Sequence, residues 1–155
     1  MKLGVLRASC RLPVPVPEAW DFFSDPGNLG RITPPSLSFR ITSGPPPRMH
    51  PGMIVTYTVS PFAGVRVRWV TEITHVVEPH FFVDEQRFGP YRFWHHQHHF
   101  RETAGGTEVE DIVHYALPFG FAGRVLGGRF VRRRLEGIFA FRKRFLEEKF
   151  GSLGS

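Results

Sequence analysis

A chain of 155 residues, 41% hydrophobic and 14% aromatic, is long enough for one domain with a substantial core. Its single cysteine, Cys10, excludes an internal disulfide framework, and no apolar run approaches the ~18 residues of a membrane-spanning helix. The formal net charge of +6 suits an anionic partner only where the cations cluster, as they do at Arg124, Arg129, Arg132, Arg133, Arg134, Arg142, Lys143 and Arg144, which are expected to form the solvated face of a helix, the other reading being a phosphate-binding patch.

Residues 3–12 set Leu3, Val5 and Leu12 among charged or small neighbours and predict a first strand, stopped by the prolines between Pro13 and Pro17. A short helix follows. Pro17 is tolerated in a first turn, Glu18 suits the positive end of the helix dipole, and Trp20, Phe22 and Phe23 supply an apolar face up to Asp25-Pro26-Gly27. Asn28–Ile32 is expected to add a further helical turn before Pro34 and Pro35. Strands are expected over 37–43 and 53–60, with Pro45-Pro46-Pro47 as the rigid loop between them. The next strand, 65–78, alternates Val65, Val67, Trp69, Thr71, Ile73, His75 and Val77 against Arg66, Arg68, Val70, Glu72, Thr74 and Val76, and the first set is expected to face inward. Strands 81–88, 91–102 and 107–117, separated by Gly89-Pro90 and Ala104-Gly105-Gly106, complete an antiparallel meander. The segment 121–150 reads as a long helix whose spacing gathers Phe121, Val131, Ile138, Phe139, Leu146 and Phe150 around Leu135, with Arg133, Gly137, Ala140 and Arg144 opposite. Arg142 falls within that apolar sector. Its stem is expected to carry the guanidinium out to water, the other reading being a cation held beneath the helix.

The chemistry concentrates between Phe81 and Leu117. A three-residue Gly89-Pro90-Tyr91 loop sets Gln86 opposite Trp94, Asp84 opposite His96 and Phe82 opposite His98 on one face, whereas a two-residue loop would turn His95 and His99 inward. The first register is expected because it unites Trp94, Phe100 and Phe82 on the covered side. Pairing Thr103 with Gly106 then puts Phe100 by Val109, His98 by Asp111, His96 by Val113 and Trp94 by Tyr115. Asp84, Gln86, His96, His98, Asp111 and Tyr115 thereby form a polar cluster bordered by Trp69, Phe82, Trp94 and Phe100. Three readings stay open. The cluster is a satisfied buried network, or a polar floor that orients a ligand, or a His–Asp proton-transfer pair drawn from His96, His98, Asp84 and Asp111. No metal is expected: the four histidines His95, His96, His98 and His99 match no recognised zinc spacing. Cys10 has no activating pattern around it.

The element order resembles the START/SRPBCC superfamily, with its helix-grip or Bet v 1-like fold. The run Phe82-Val83-Asp84-Glu85-Gln86, Gly89-Pro90-Tyr91, Trp94, His96, His98 and Phe100, followed by Asp111, Tyr115, Leu117-Pro118 and Arg132-Arg133-Arg134-Leu135, is similar to its polyketide cyclase/dehydrase-like, ligand-binding subgroup. The resemblance implies an α+β fold: a curved seven-stranded antiparallel sheet wrapped around a long C-terminal helix, with two short helices after the first strand. One domain over 1–150 and a disordered 151–155 tail are expected. Between sheet and helix, the resemblance implies a cavity for a hydrophobic or amphipathic small molecule, such as a lipid, an isoprenoid or a polyketide-like compound. Leu135, Ile138, Phe139 and Arg142 are expected to line it together with the cluster. It does not imply one reaction. A cyclase or dehydratase using a His–Asp pair, and a partner-binding module acting through the basic last helix, are the alternatives to simple ligand binding. No cofactor and no specific nucleic acid are expected, only weak contact of the basic helix with an acidic partner or membrane surface. With no apolar leader core of about 7–15 residues, a cytoplasmic location is expected.

Overall fold

Pro15, extended at φ −67° and ψ 156°, turns the chain out of strand β1 (Gly4–Leu12) and into helix α1 (Val16–Phe23), where Pro17 and Glu18 occupy the first turn. The computed structural model describes residues 1–44, 47–62 and 64–154; the expected loop at Pro45 and Pro46 and the terminal Ser155 lie outside the described residues. Helix α1 buries Val16, Ala19, Trp20 and Phe22. Beyond it the expected second helix is reduced to single turns. The Asp25 side chain accepts the Gly27 amide and starts a 3-10 turn at Pro26–Asn28, Ile32 N–H closes one turn on the Asn28 carbonyl, and a second 3-10 turn spans Pro35–Leu37. Pro34 and Pro35 bring no amide donor to continue a helix. Strand β2 is accordingly only Arg40–Ile41, shorter than expected, because that 3-10 turn and the left-handed Ser38 (φ 46°) occupy its first residues.

Five long strands follow: β3 (Met53–Phe62), β4 (Val65–Val77), β5 (Phe81–Phe88), β6 (Phe93–Thr103) and β7 (Gly106–Ala116). They form one antiparallel sheet with β1, in the order β1-β7-β6-β5-β4-β3-β2. The register is the one expected, with Asp84 paired to His96, Phe82 to His98, His98 to Asp111 and Trp94 to Tyr115, but the β5–β6 ladder ends at Glu85–His95 and the expected Gln86–Trp94 pair is not made. Strand β4 departs from simple alternation. Ile73 pairs with Asp84 but His75 with Val83, so one inserted residue, Thr74, reverses the faces beyond it. Trp69, Thr71 and Ile73 are buried as expected, while Val76 packs on the core and His75 and Val77 face outward; Val65, before the inward run, is also exposed.

Helix α2 (Gly120–Phe150) lies across β1 and buries Leu135, Phe139, Arg142 and Leu146, a stripe at spacings of four, three and four. Its first three turns do not share this face: Phe121 is 74% exposed, so its place in the expected apolar sector is corrected. Of the two readings of Arg142, the structure takes the cation held beneath the helix and not the stem that reaches water. It is 7% exposed and its guanidinium stays beneath the helix. One core gathers Leu12, Trp20, Phe22, Met53, Phe82, Phe100 and Leu146, and a second gathers Leu6, Val113, Tyr115, Leu135 and Phe139. Beyond α2, the Leu153 amide donates to the Arg11 carbonyl at 3.2 Å. Among the described residues no helix is long and apolar enough to cross a membrane.

Candidate functional site

Because β5 and β6 run antiparallel in this register, Asp84, His96 and His98 share the concave face beneath α2. They open on a cavity of about 440 Å³ enclosed by the sheet, α2 and the segment after α1. Its wall is mainly apolar. Phe82, Trp69, Trp94, Leu135, Ile138 and Phe139 line it alongside Arg142 and the three polar residues. Sequence reasoning missed the contribution of Tyr57, which stacks on Trp69 at 5.7 Å between ring centroids and meets Thr71 Oγ1 at 3.3 Å. The period-two run Met53, Val55, Tyr57 was the signal that would have found it. Loop residues at one end, Pro90, Tyr91, Pro118 and Phe119, lay beyond the reach of periodicity. Phe119 is 84% exposed and marks the rim there.

Four predicted site residues stand elsewhere. Gln86 closes the β5–β6 turn, donating to the Tyr91 carbonyl at 2.6 Å and accepting the Tyr91 amide at 3.1 Å, so it does not face the cavity. Its amide satisfies the two backbone groups that the Gly89-Pro90 bend leaves open. Phe100 is 1% exposed and sits edge-on to Trp20 and Phe23 in the solid core. Tyr115 belongs to the second core with Leu6 and Leu135. Asp111 stands behind the histidines, toward a smaller recess of about 250 Å³ between β1 and α2.

The polar groups form a closed ring. His98 Nε2 donates to Asp84 Oδ2 at 2.6 Å, and His96 Nε2 donates to Asp111 Oδ1 at 2.8 Å. The remaining ring nitrogens face the opposite carboxylates: His96 Nδ1 lies 3.5 Å from Asp84 Oδ2, and His98 Nδ1 lies 3.1 Å from Asp111 Oδ1 but out of hydrogen-bond alignment. The two imidazoles are 3.8 Å apart between centroids, and Phe82 stacks on His98 at 3.9 Å. Arg142 Nη1 reaches Asp111 Oδ1 at 3.4 Å, with its guanidinium over the Phe139 ring.

These contacts set the charges. Burial works against ionisation of Asp111, yet the hydrogen bond from His96, the close His98 ring and the charge of Arg142 outweigh it and hold the carboxyl well below the usual range. Asp84 is lowered for the same reasons, by His96, His98 and Arg142 against its own burial. Burial and the neighbouring His98 lower His96, so its neutral form is favoured. Burial also opposes the charged form of His98, but Asp111 and Asp84 prevail and raise it. The Arg142 cation and the raised His98 thus stand against the two lowered carboxylates, Asp84 and Asp111, in one buried ring. Asp84, His96 and His98 each bring a donor atom within 4.8 Å of the other two, the set in this site able to hold a cation.

The sequence profile described as polyketide cyclase/dehydrase and lipid transport matches residues 12–139. Among solved structures, the Zhui aromatase/cyclase from Streptomyces sp. R1128 superposes with a TM-score of 0.73 at 11% identity, covering 96% of this chain and 93% of that one. TTHA0849 from Thermus thermophilus gives 0.71 at 18% identity over 94% and 95% of the two chains. Ara h 8.0201 gives 0.66 at 14% identity over 95% and 99%. At such identities these likenesses speak for the fold, a seven-stranded antiparallel sheet gripping a long C-terminal helix. No curated protein matches the chain.

Proposed function

Since the chain belongs to the polyketide cyclase/dehydrase and lipid transport family, we propose that it binds one amphipathic small molecule, its apolar body among the cavity aromatics and its oxygen-bearing end toward Arg142 and Trp69. One observation carries this reading. Trp69 and Arg142 line the cavity, and their Nε1 and Nε are buried donors with no hydrogen-bond partner among the described residues. A buried donor left unpaired costs about 1–3 kcal/mol, so a ligand acceptor at these atoms recovers free energy that the protein alone forgoes. The apolar wall matches the usual make-up of a small-molecule site, where a few polar groups fix orientation. Lipids, isoprenoids and polyketide-like compounds share that division into apolar body and oxygen-bearing end.

Native mass spectrometry of the purified protein, followed by organic extraction, tests the reading directly: a copurified compound of about one equivalent is expected. A titration with the amphipathic anion 8-anilinonaphthalene-1-sulfonate should give one saturable site, weakened about tenfold by Trp69→Phe, which keeps the packing and deletes one donor. Absence of a saturable site, or a Trp69→Phe variant with unchanged affinity, would remove the support. A cyclase or dehydratase reading has one specific observation in its favour: the hydrogen-bonded His98–Asp84 pair opens on the same cavity. It requires that His98→Gln abolish turnover while the dye still binds.

A further inference from the structure

We propose that Asp84, His96 and His98 form a binding site for one divalent first-row transition-metal ion on the cavity wall, with Asp111 as the outer partner of both imidazoles. The proposal is independent of the organic ligand.

The geometry separates the ring nitrogens into two layers. His96 Nδ1 and His98 Nε2 face the Asp84 carboxylate at 3.5 and 2.6 Å, while His96 Nε2 and His98 Nδ1 face one oxygen of Asp111 at 2.8 and 3.1 Å. A network built only to satisfy two buried imidazoles needs one acceptor for each. Here each imidazole lies between two carboxylates, Asp84 on the cavity side and Asp111 behind, although only His98 Nε2 and His96 Nε2 are hydrogen-bonded to them. Metal-bound histidines are held by donating the outer N–H to a carboxylate that fixes the ring and raises its basicity; His96 Nε2 does so to Asp111, and His98 Nδ1, 3.1 Å from the same oxygen, needs only to turn into line with it. Arg142, 3.4 Å from the same Asp111 oxygen, balances the outer carboxylate so that it does not compete for the ion.

The donors are also rigidly placed. His96 and His98 alternate on β6, Asp84 pairs with His96 across the β5 ladder, Phe82 stacks on His98 and Phe139 meets His96 edge-on. On binding, the ion replaces the proton between His98 Nε2 and Asp84 Oδ2, which leaves to solvent, and the two atoms part toward the ~3.3 Å that separates neighbouring ligands with bonds of about 2.05 Å. All three residues line the cavity, so the remaining coordination positions face it and accept water or an oxygen of a bound molecule. Two imidazoles and one carboxylate suit zinc, iron or cobalt; magnesium and calcium, which favour oxygen donors, are disfavoured.

The test uses chelator-treated full-length protein titrated calorimetrically with zinc chloride and cobalt chloride, with long-range proton–nitrogen spectra of the histidine rings recorded with and without zinc. One ion per chain is expected, with His96 Nδ1 and His98 Nε2 shifting strongly and the rings of His95 and His114, a pair 6.1 Å apart elsewhere on the sheet, unmoved. Asp84→Asn and His98→Asn should each weaken binding about 100-fold and Asp111→Asn about 10- to 100-fold. His95→Asn and magnesium chloride are the controls: unchanged zinc affinity and no binding, respectively. No saturable zinc binding by the wild type, ring shifts confined to His95 and His114, or a folded Asp84→Asn variant with full affinity would each overturn the site. Because the ring spectra are read on the wild type, a variant that fails to fold leaves the decision intact.

Discussion

Trp94 and Phe100 stand on the same face of β6, yet they meet different surroundings. Phe100 is enclosed by Trp20, Phe23 and Phe82, whereas Trp94 is half-buried on the cavity wall against Trp69 and Tyr91. Phe100→Ala is therefore expected to cost about 3–5 kcal/mol in urea unfolding, and Trp94→Ala distinctly less, because truncation there enlarges a void that already exists. Equal losses would contradict the division between solid core and cavity. Alternation identified the shared face but not which of its members touch open space. Cys10 is governed by burial as well. Desolvation, with Asp111 and Glu147 adding to it, pushes its thiol up to about 12, so the thiolate needed for reaction is scarce at neutral pH. Ellman's reagent at about pH 8 should leave Cys10 unmodified until denaturant unfolds the chain; rapid labelling of the native protein would show that β1 opens locally.

At the scale of the element, α2 divides into two parts of different character. Leu135, Phe139, Arg142 and Leu146 carry the helix against β1, while Phe121, Val125 and Leu126 are exposed. Leu135→Ala is expected to lose about 2–5 kcal/mol, and Leu126→Gln, at 87% exposure, to stay within about 0.5 kcal/mol of wild type by thermal or urea melts. Helical spacing predicted the stripe around Leu135 but extended it to Phe121, because periodicity records where a side chain points and not whether the sheet reaches that far. Spacing alone left Arg142 with two readings for a related reason. Placed in an apolar sector, a long cation normally carries its charge to water, and only the position of Asp111 beneath the helix makes burial the better solution. In β4 the inserted Thr74 reverses the expected faces, a change that no local pattern of Val and Thr residues announces.

For the whole molecule, the buried ring links stability to pH in opposing ways. Asp84 and Asp111 have lowered folded pKa values, so their contribution is present above the unfolded carboxylate value and disappears as pH falls through the folded ones. His98 is raised; its contribution is complete below the model-peptide value of 6.5 and fades as pH rises through its folded pKa. His96 is lowered, so acid must charge a ring that the fold prefers neutral, and stability falls as pH drops below 6.5. Urea midpoints of chelator-treated protein from about pH 3 to about pH 9 should therefore drop steeply on the acid side and decline gently on the alkaline side. His98→Asn should flatten the alkaline decline; an alkaline limb that is unchanged in this variant would show that another group is responsible. The sequence by itself determined the run of sequential hairpins, the register that sets Asp84 beside His96 and His98 beside Asp111, and the long closing helix, since period-two alternation, turn residues and helical spacing are local properties of the chain; the pairing of β1 with β7 came only from the tertiary structure. Only the tertiary structure decided that Gln86 serves a turn, that Phe100 and Tyr115 fill solid core, and that Arg142 is a buried counter-ion. Those outcomes depend on how far the sheet bends around α2 and where space remains between them, distances between residues remote in the chain that no local pattern encodes.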